Sequence, residues 1–466
     1  MIGYAFRMLT GKSAMQKKLK QHFGRLPLEE TATTARTFPL ASRVDVQLAI
    51  DQFFATNGTS TLLGIHSAIG HETPTLAHLF VRGPFPVDLG PLQHDDIDVG
   101  ELSAVRCLKN GLWLAHQSDI PFAVLLSPAM QFGMVGGVHI ELAVPKGEQG
   151  MQFSEDFFRQ LELRVNAGGT YRGRVISLES HGEYSGRGGA VKVHRLRAVQ
   201  REEVILPEKT LGLLDRNVGS FIKARNHIKS LGLSAKKGLL FYGPPGTGKT
   251  LTIHYLACQL PQHTTLLITA EQVGLLDEYF RLARFLQPSL VVVEDVDLIA
   301  RAREQMGSAC EEVLLNKLLN EMDGLREDAD VIFILTTNRP DQLEPALASR
   351  PGRIDQAIEF PLPDEQGRSK LVKLYARGLQ LSDQLSELVV RRTKGASPAF
   401  IKELMRRAAQ FQFEVGENDE LKQSAVDNAI EEMVFSGGSL NLKLLGGSST
   451  DLSSAAENRI LPSRPQ

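Results

Sequence analysis

Between residues 237 and 338, short apolar runs alternate with stretches that repeat apolar residues at helical spacing. KGLLFY (237–242), TTLLITA (264–270), LVVVEDVD (290–297) and VIFILTTN (331–338) have the continuous apolar character of strands buried on both faces. Between them lie TLTIHYLACQL, LLDEYFRLARFL and CEEVLLNKLLNEMDG, each with helical periodicity. Strands of this kind alternating with helices predict a parallel sheet covered on both sides. We therefore expect an α/β core over residues 201–363, followed by a small helical domain over 364–435.

The N-terminal part has a different rhythm. Residues 1 to about 60 read as helical and polar. Beyond them come short apolar runs separated by Gly and Pro: SAVRCLKNGLWLAH, PFAVLLS, GVHIELAVP, YRGRVISLES and AVKVHRLRAV. These predict strands, with one helix at SEDFFRQLELRVN. An α+β domain over residues 1–200 follows, to which the sequence assigns no role. The segment LRAVQREEVILPEKTLGL (196–213) reads as a linker, and the Gly/Ser-rich residues 436–466 read as a disordered tail.

Composition narrows the function classes. A chain of 466 residues holds two or three domains, and 42% apolar with 23% charged residues is ordinary for a soluble protein. A net charge of −2 gives no sign of wholesale nucleic-acid binding. Cys107, Cys258 and Cys310 are far apart and form no CxxC pair, which suits a reducing cytoplasmic setting. No window supplies the roughly 18 uninterrupted apolar residues of a spanning helix. The nearest, 120–145, is broken by prolines, Gln131, His139 and Glu141. The basic N-terminus reads as a solvated amphipathic helix, with a targeting or membrane-surface helix as the alternative.

One histidine cluster fails as a metal site. IHSAIGHETPTLAH (65–78) holds His66, His71, Glu72 and His78, but Thr75 stands where HExxH needs its second histidine. Pro74 would also break the helix that such a motif requires.

The chemistry concentrates in GPPGTGKT, Gly243–Thr250, which fits GxxxxGK[ST] at every position between a strand and a helix. Glycines let the loop wrap closely. Its N–H groups and the following helix N-terminus form a cradle for phosphate. The cradle comprises Gly243, Pro244, Pro245, Gly246, Thr247, Gly248, Lys249, Thr250 and Leu251. Lys249 reaches the outer phosphates of ATP, and Thr250 offers a hydroxyl to Mg²⁺. In such a fold a neighbouring buried strand delivers one carboxylate to the metal, and a second can polarise the attacking water; Glu294 and Asp295 follow the apolar run of LVVVEDVD. Asn338, at the end of VIFILTTN, can orient a water or contact the terminal phosphate. Arg350 and Arg353 flank Pro-Gly on a following loop and are candidates to stabilise a transferring phosphate.

The order GPPGTGKT, VVVEDVD, LLNEMDGL, ILTTNRPDQLEPALASRPGRID resembles the AAA+ ATPases of the classical AAA clade, over roughly residues 204–410. The resemblance implies a P-loop NTPase sheet with a helical lid. It also implies a homo-oligomeric ring, most often a hexamer, with ATP between subunits and a protein partner to remodel. By position, Glu294 inherits the Mg²⁺ role, Asp295 that of polarising base, and Asn338 that of first sensor. Arg350 and Arg353 become fingers on the neighbour's nucleotide. GASPAFIKEL (395–404) looks like the family's Gly-Ala turn on the lid near the adenine, with Pro398 where glycine is usual.

Two departures stand out. The clade's usual acidic pair is Asp then Glu, whereas here Glu294 precedes Asp295, which sets the base about one methylene further from the water. A similar order, and a similar approach to the P-loop, occur in the Rieske-assembly AAA translocases of mitochondria. The aromatic–aliphatic–Gly loop of threading AAA proteins is also missing. Tyr279 and Phe280 sit at helical spacing with Leu276 and Ala283, as core residues would. The sequence thus leaves an ATP-hydrolysing remodelling ring, with an assembly switch of slow or no hydrolysis as the alternative. A nucleic-acid motor is disfavoured by charge and by the lack of a base-reading motif.

Overall fold

The computed structural model describes residues 13–433 except 25, 27–29, 57–58, 68–71, 81–86, 118, 132–133, 180–190, 298–317, 319, 323, 325–328, 342–352 and 417–418. Several expectations fall outside the described residues: His71, Arg350, Cys310 with most of the helix expected over 310–324, and the tail 436–466. The chain divides into two units, Met1–Arg172 with Ile176–His194, and Gly173–Val175 with Arg195–Gln466.

The first unit contains α1 (Ala14–Phe23), β1 (Thr31–Pro39), α2 (Arg43–Thr56), β2 (Ser60–Ser67), α3 (Leu76–Phe80), β3 (Val87–Gly90) and β4 (Gln93–Ile97). Then come β5 (Val105–Gln117), β6 (Ile120–Gln131), β7 (Met134–Pro145) and α4 (Glu148–Ala167), with the short strands β8 (Val175–Leu178) and β9 (Val191–His194) after them. The sheet is antiparallel in the order β1-β7-β6-β5-β2-β3, with β4 also on β5.

Both of its faces are covered, which explains the near-continuous apolar runs in its central strands. Leu112 and Leu114 of β5 join Met15, Leu19 and Phe23 of α1 in one core. Between them Trp113 stacks on Phe54 of α2 at 5.4 Å, as the period-two alternation of a strand requires.

The expectation of a wholly helical, polar segment before residue 60 is corrected here. TATTARTFP is strand β1, a largely exposed edge rich in β-branched threonine and paired with β7. Helix α2 is far from polar on its inner side, burying Val44, Val46, Ala49, Ile50, Phe53 and Phe54.

The second unit begins with α5 (Glu208–Leu214), a π-helical turn over Asp215–Ser220, and α6 (Phe221–Ser230). So the expected linker ends in helix. Strands β10 (Lys237–Tyr242), β11 (Thr264–Ile268), β12 (Ser289–Val293), β13 (Val331–Thr337) and β14 (Gln356–Glu359) follow, with α7 (Lys249–Gln259) and α8 (Leu276–Phe285) as crossovers. All five pair in parallel, in the order β14-β10-β13-β12-β11. Alternate residues again face opposite layers. Leu239, Phe241, Leu290, Val292, Ile332 and Ile334 pack with Ile253 of α7, while Phe333 stacks on Phe280 of α8 at 5.6 Å.

Tyr279 and Phe280 are fully buried. The Tyr279 hydroxyl donates to the carbonyl of Leu267 at 3.0 Å, so both aromatics belong to the core, as their spacing predicts. Helices α9 (Glu365–Tyr375), α10 (Asp383–Arg392), α11 (Pro398–Val415) and α12 (Gln423–Glu431) enclose their own core around Leu371, Val389, Phe400, Leu404 and Val426.

Candidate functional site

In this strand order β10, β13 and β12 are neighbours, so the segments leaving their C-terminal ends meet at one edge. That edge is where open parallel sheets bind ligands. In register, Tyr242 lies beside Thr337 and Val293 beside Leu335. The sheet therefore delivers Gly243, Glu294 and Asn338 to the same place.

The loop after β10 is shaped by close backbone approaches. Gly243 has φ 149°, and a Cβ there would stand 2.2 Å from the carbonyl oxygen of Phe360. Gly246 has φ 75°, and a Cβ there would meet Ala399 Cβ at 2.9 Å. Only glycine fits either position. Thr247 turns inward and its hydroxyl donates to the Pro244 carbonyl at 2.8 Å. Pro244, Pro245 and Gly246 are exposed, Gly248 and Leu251 are half-buried, and Lys249 opens α7 with its side chain buried.

Lys249 Nζ donates to the carbonyls of Gly243 and Pro244 at 2.8 and 3.0 Å, and to Asn338 Oδ1 at 2.9 Å. Burial drives its pKa down to about 8, against the pull of Asp295 and Asp297. The other end of the Asn338 amide, Nδ2, donates to Asp295 Oδ1 at 3.0 Å. One asparagine thus spans the ammonium and the carboxylate. The carboxyl of Asp295 is held above the ordinary range by burial and then by Asp297, with Lys249 and the Asn338 bond opposing.

Asp295 has φ 48°, a left-handed conformation at the end of β12. Aspartate tolerates that region better than most residues, and the Asp295 N–H is satisfied by Thr336 Oγ1 at 2.9 Å. The swapped order of the acidic pair therefore comes with a turned backbone at the second position.

Glu294 and Thr250 are brought together, the Thr250 hydroxyl donating to Glu294 Oε1 at 2.8 Å. A hydroxyl and a carboxylate oxygen at this separation fit Mg²⁺, which takes few protein oxygens and completes its shell with water and phosphate. Among the described residues no group of three or more His, Cys, Asp or Glu could hold a metal. The candidate thus has the donor set of a shared phosphate–metal site rather than of an all-protein cage.

Arg353 is not among these contacts. It lies just ahead of β14, and its Nη2 donates to Asn320 Oδ1 at 3.3 Å. The lid reaches the loop instead, through Ala399 N–H donating to the Gly246 carbonyl at 3.1 Å. Pro398 is explained by its place: Ser397 caps α11 by accepting from Phe400 N–H at 3.2 Å, and proline occupies the first turn, where it needs no donor.

Sequence reasoning passed over Asp297 and Thr337. Asp297 is 3% exposed, and its Oδ1 accepts from Thr337 Oγ1 at 2.8 Å and from Asn338 N–H at 3.1 Å. The signal was present in the second aspartate of EDVD and the paired threonines before Asn338, but spacing alone did not link them.

Residues 239–362 match the family model described as AAA, the ATPase family associated with various cellular activities. That stretch is an AAA domain. The chain is 33% identical over 225 residues to the proteasome-activating nucleotidase of Methanothermobacter thermautotrophicus, covering 46% of this chain and 54% of that protein. It is 34% identical over 193 residues to the 26S proteasome regulatory subunit S10B homolog B of Arabidopsis thaliana, covering 39% and 48%. With the cell division cycle protein 48 homolog of Archaeoglobus fulgidus the identity is 36% over 188 residues, 38% of this chain and 26% of that one. The chain spans about half the length, or less, of these relatives. No helix among the described residues is long and apolar enough to cross a membrane.

Proposed function

We propose that this chain binds ATP with Mg²⁺ and hydrolyses it as a homo-oligomeric ring, a hexamer, that remodels a protein partner. The observation that carries the reading is the bridge made by Asn338 between Lys249 and Asp295, on the loop edge of an AAA domain. It sets a phosphate-binding cation, a polar sensor and a carboxylate base side by side, the parts that ATP hydrolysis requires.

In this reading the backbone of Gly243–Gly248 and Lys249 hold the phosphates. Thr250 and Glu294 hold Mg²⁺, which neutralises phosphate charge when bound. Asp295 accepts the proton of the attacking water, and Asn338 aims that water. Arg350 and Arg353 serve the nucleotide of the adjacent subunit, a reading supported by the bond of Arg353 to Asn320 rather than to the Lys249–Asn338–Asp295 group. Residues 1–200 act as the partner-recognising domain, 364–435 as the lid, and the setting is cytoplasmic. A finer kinship with Rieske-assembly AAA translocases is supported by two sequence features, the Glu294–Asp295 order and the approach to the P-loop.

An assembly switch is the second reading, favoured by the short base in its left-handed backbone. Phosphate release by the full chain, with ATP and either Mg²⁺ or a chelator, decides between them. Mg²⁺-dependent release abolished by Lys249→Ala is expected. Equal slow release by wild type and variant establishes the switch. Light scattering at saturating ATP tests the ring, and a fully active monomer would overturn it.

A further inference from the structure

We propose that Asp297 is a positioning residue for hydrolysis, fixing the turn that carries Asn338; the inference rests on the ATP-hydrolysis reading above.

A carboxylate buried to 3% exposure is costly unless its charge is satisfied. Asp297 directs one oxygen at the first turn after β13. That oxygen accepts from the backbone N–H of Asn338 at 3.1 Å and from the Thr337 hydroxyl at 2.8 Å. The same hydroxyl accepts the N–H of Arg339 at 2.9 Å. The residue before Asn338, Asn338 itself and the residue after it are thereby tied to a single carboxylate. Bonds to an ionised acceptor are the stronger kind.

The fixed turn then presents an amide whose two ends reach Lys249 Nζ and Asp295 Oδ1. An asparagine that has to direct a water molecule tolerates little angular error, and displacements near 1 Å cost on the order of 100-fold in rate. Asp297 bonds the Thr337 hydroxyl and the Asn338 backbone, while its charge also pulls on Lys249 and raises the Asp295 carboxyl. Its geometric hold on the site passes through the backbone of residue 338, so it is a positioning residue and not a catalytic one.

The test uses the full chain, with phosphate release for kcat and KM, ADP titration for affinity and thermal melting for folding. Asp297→Ala is expected to lower kcat about 10- to 100-fold while KM for ATP and ADP affinity stay within about threefold. Asp297→Asn is expected to recover to within about fivefold of wild type, because an amide oxygen can accept the same two bonds. In an Asn338→Ala background, Asp297→Ala is expected to lower kcat less than about twofold.

Wild-type kcat in Asp297→Ala overturns the inference, and so does an undiminished loss in the Asn338→Ala background. If Asp297→Ala fails to fold, Thr337→Val and Asp297→Asn decide. Thr337→Val is expected to lose kcat about three- to tenfold at unchanged ADP affinity, and a wild-type rate there sinks the idea. A wild-type chain that releases no phosphate removes the hydrolysis reading itself and this inference with it.

Discussion

Asn338 Oδ1 accepts a hydrogen bond from Lys249 Nζ at 2.9 Å. In the proposed reading, phosphate binding draws mainly on Lys249 and the loop backbone, whereas aiming a nucleophile draws on the asparagine. The two residues should therefore separate in kinetics. Lys249→Ala is expected to lose ATP binding. Asn338→Ala is expected to keep ADP affinity within about threefold and lose kcat about 10- to 100-fold. Calorimetry and steady-state phosphate release check the pair, and parallel losses in both variants would contradict it.

Asp295, the proposed base, lies in left-handed backbone. Asparagine tolerates that conformation, while a β-branched residue costs roughly 1–2 kcal/mol there. Asp295→Asn should bind ATP, hydrolyse it at least about 100-fold more slowly and melt near wild type. Asp295→Val should melt lower as well. If Asp295→Asn turns over normally, another group is the base.

Arg353 bonds Asn320 and takes no part in the bonds around its own Lys249. Arg353→Ala is expected to bind ATP with near wild-type affinity and to lose most turnover. Mixing it with Lys249→Ala subunits should restore part of the activity, since each supplies what the other lacks. Colorimetric phosphate release on mixed samples measures this, and no recovery at any ratio argues against action between subunits.

His263 is buried at the N-terminal end of β11, where Arg225 Nη1 approaches its Nε2 at 3.0 Å and Asp330 Oδ1 at 2.7 Å. Burial, then Arg225, lowers its pKa below 6.5, with Asp330 opposing. The unfolded chain therefore binds this proton more readily than the folded one. Stability is fully present above about pH 6.5 and falls as the pH drops through and below it. His22 in the other unit is depressed as well, chiefly by burial. Melting curves from pH 8 to 5 should show the acid loss, and His263→Gln should flatten the part owed to the nucleotide-binding unit. An unchanged slope in that variant would remove His263 as the cause.

The core sheet was legible because buried parallel strands leave a continuous apolar signature. The P-loop was legible because phosphate binding fixes spacing within one short segment. Strand β1 was not: TATTARTFP buries almost nothing, so periodicity had no apolar face to report. Asp297 was hidden for another reason. Its role depends on the register between β12 and β13, in which Val293 lies beside Leu335, and no local pattern encodes a cross-strand register. Pro398 looked like a defect against a family pattern, yet Ser397 and the helix start make it an ordinary first-turn proline.

The tether from Ala399 to Gly246 joins two main-chain atoms. No exchange of side chain deletes such a link, save a proline at 399, which lacks the amide hydrogen. Drift in the outer sequence of the C-terminal helices therefore leaves it untouched, whereas any bulk added at 246 wedges it open against Ala399. Mutational sensitivity here should track size at one glycine rather than chemistry along the helix.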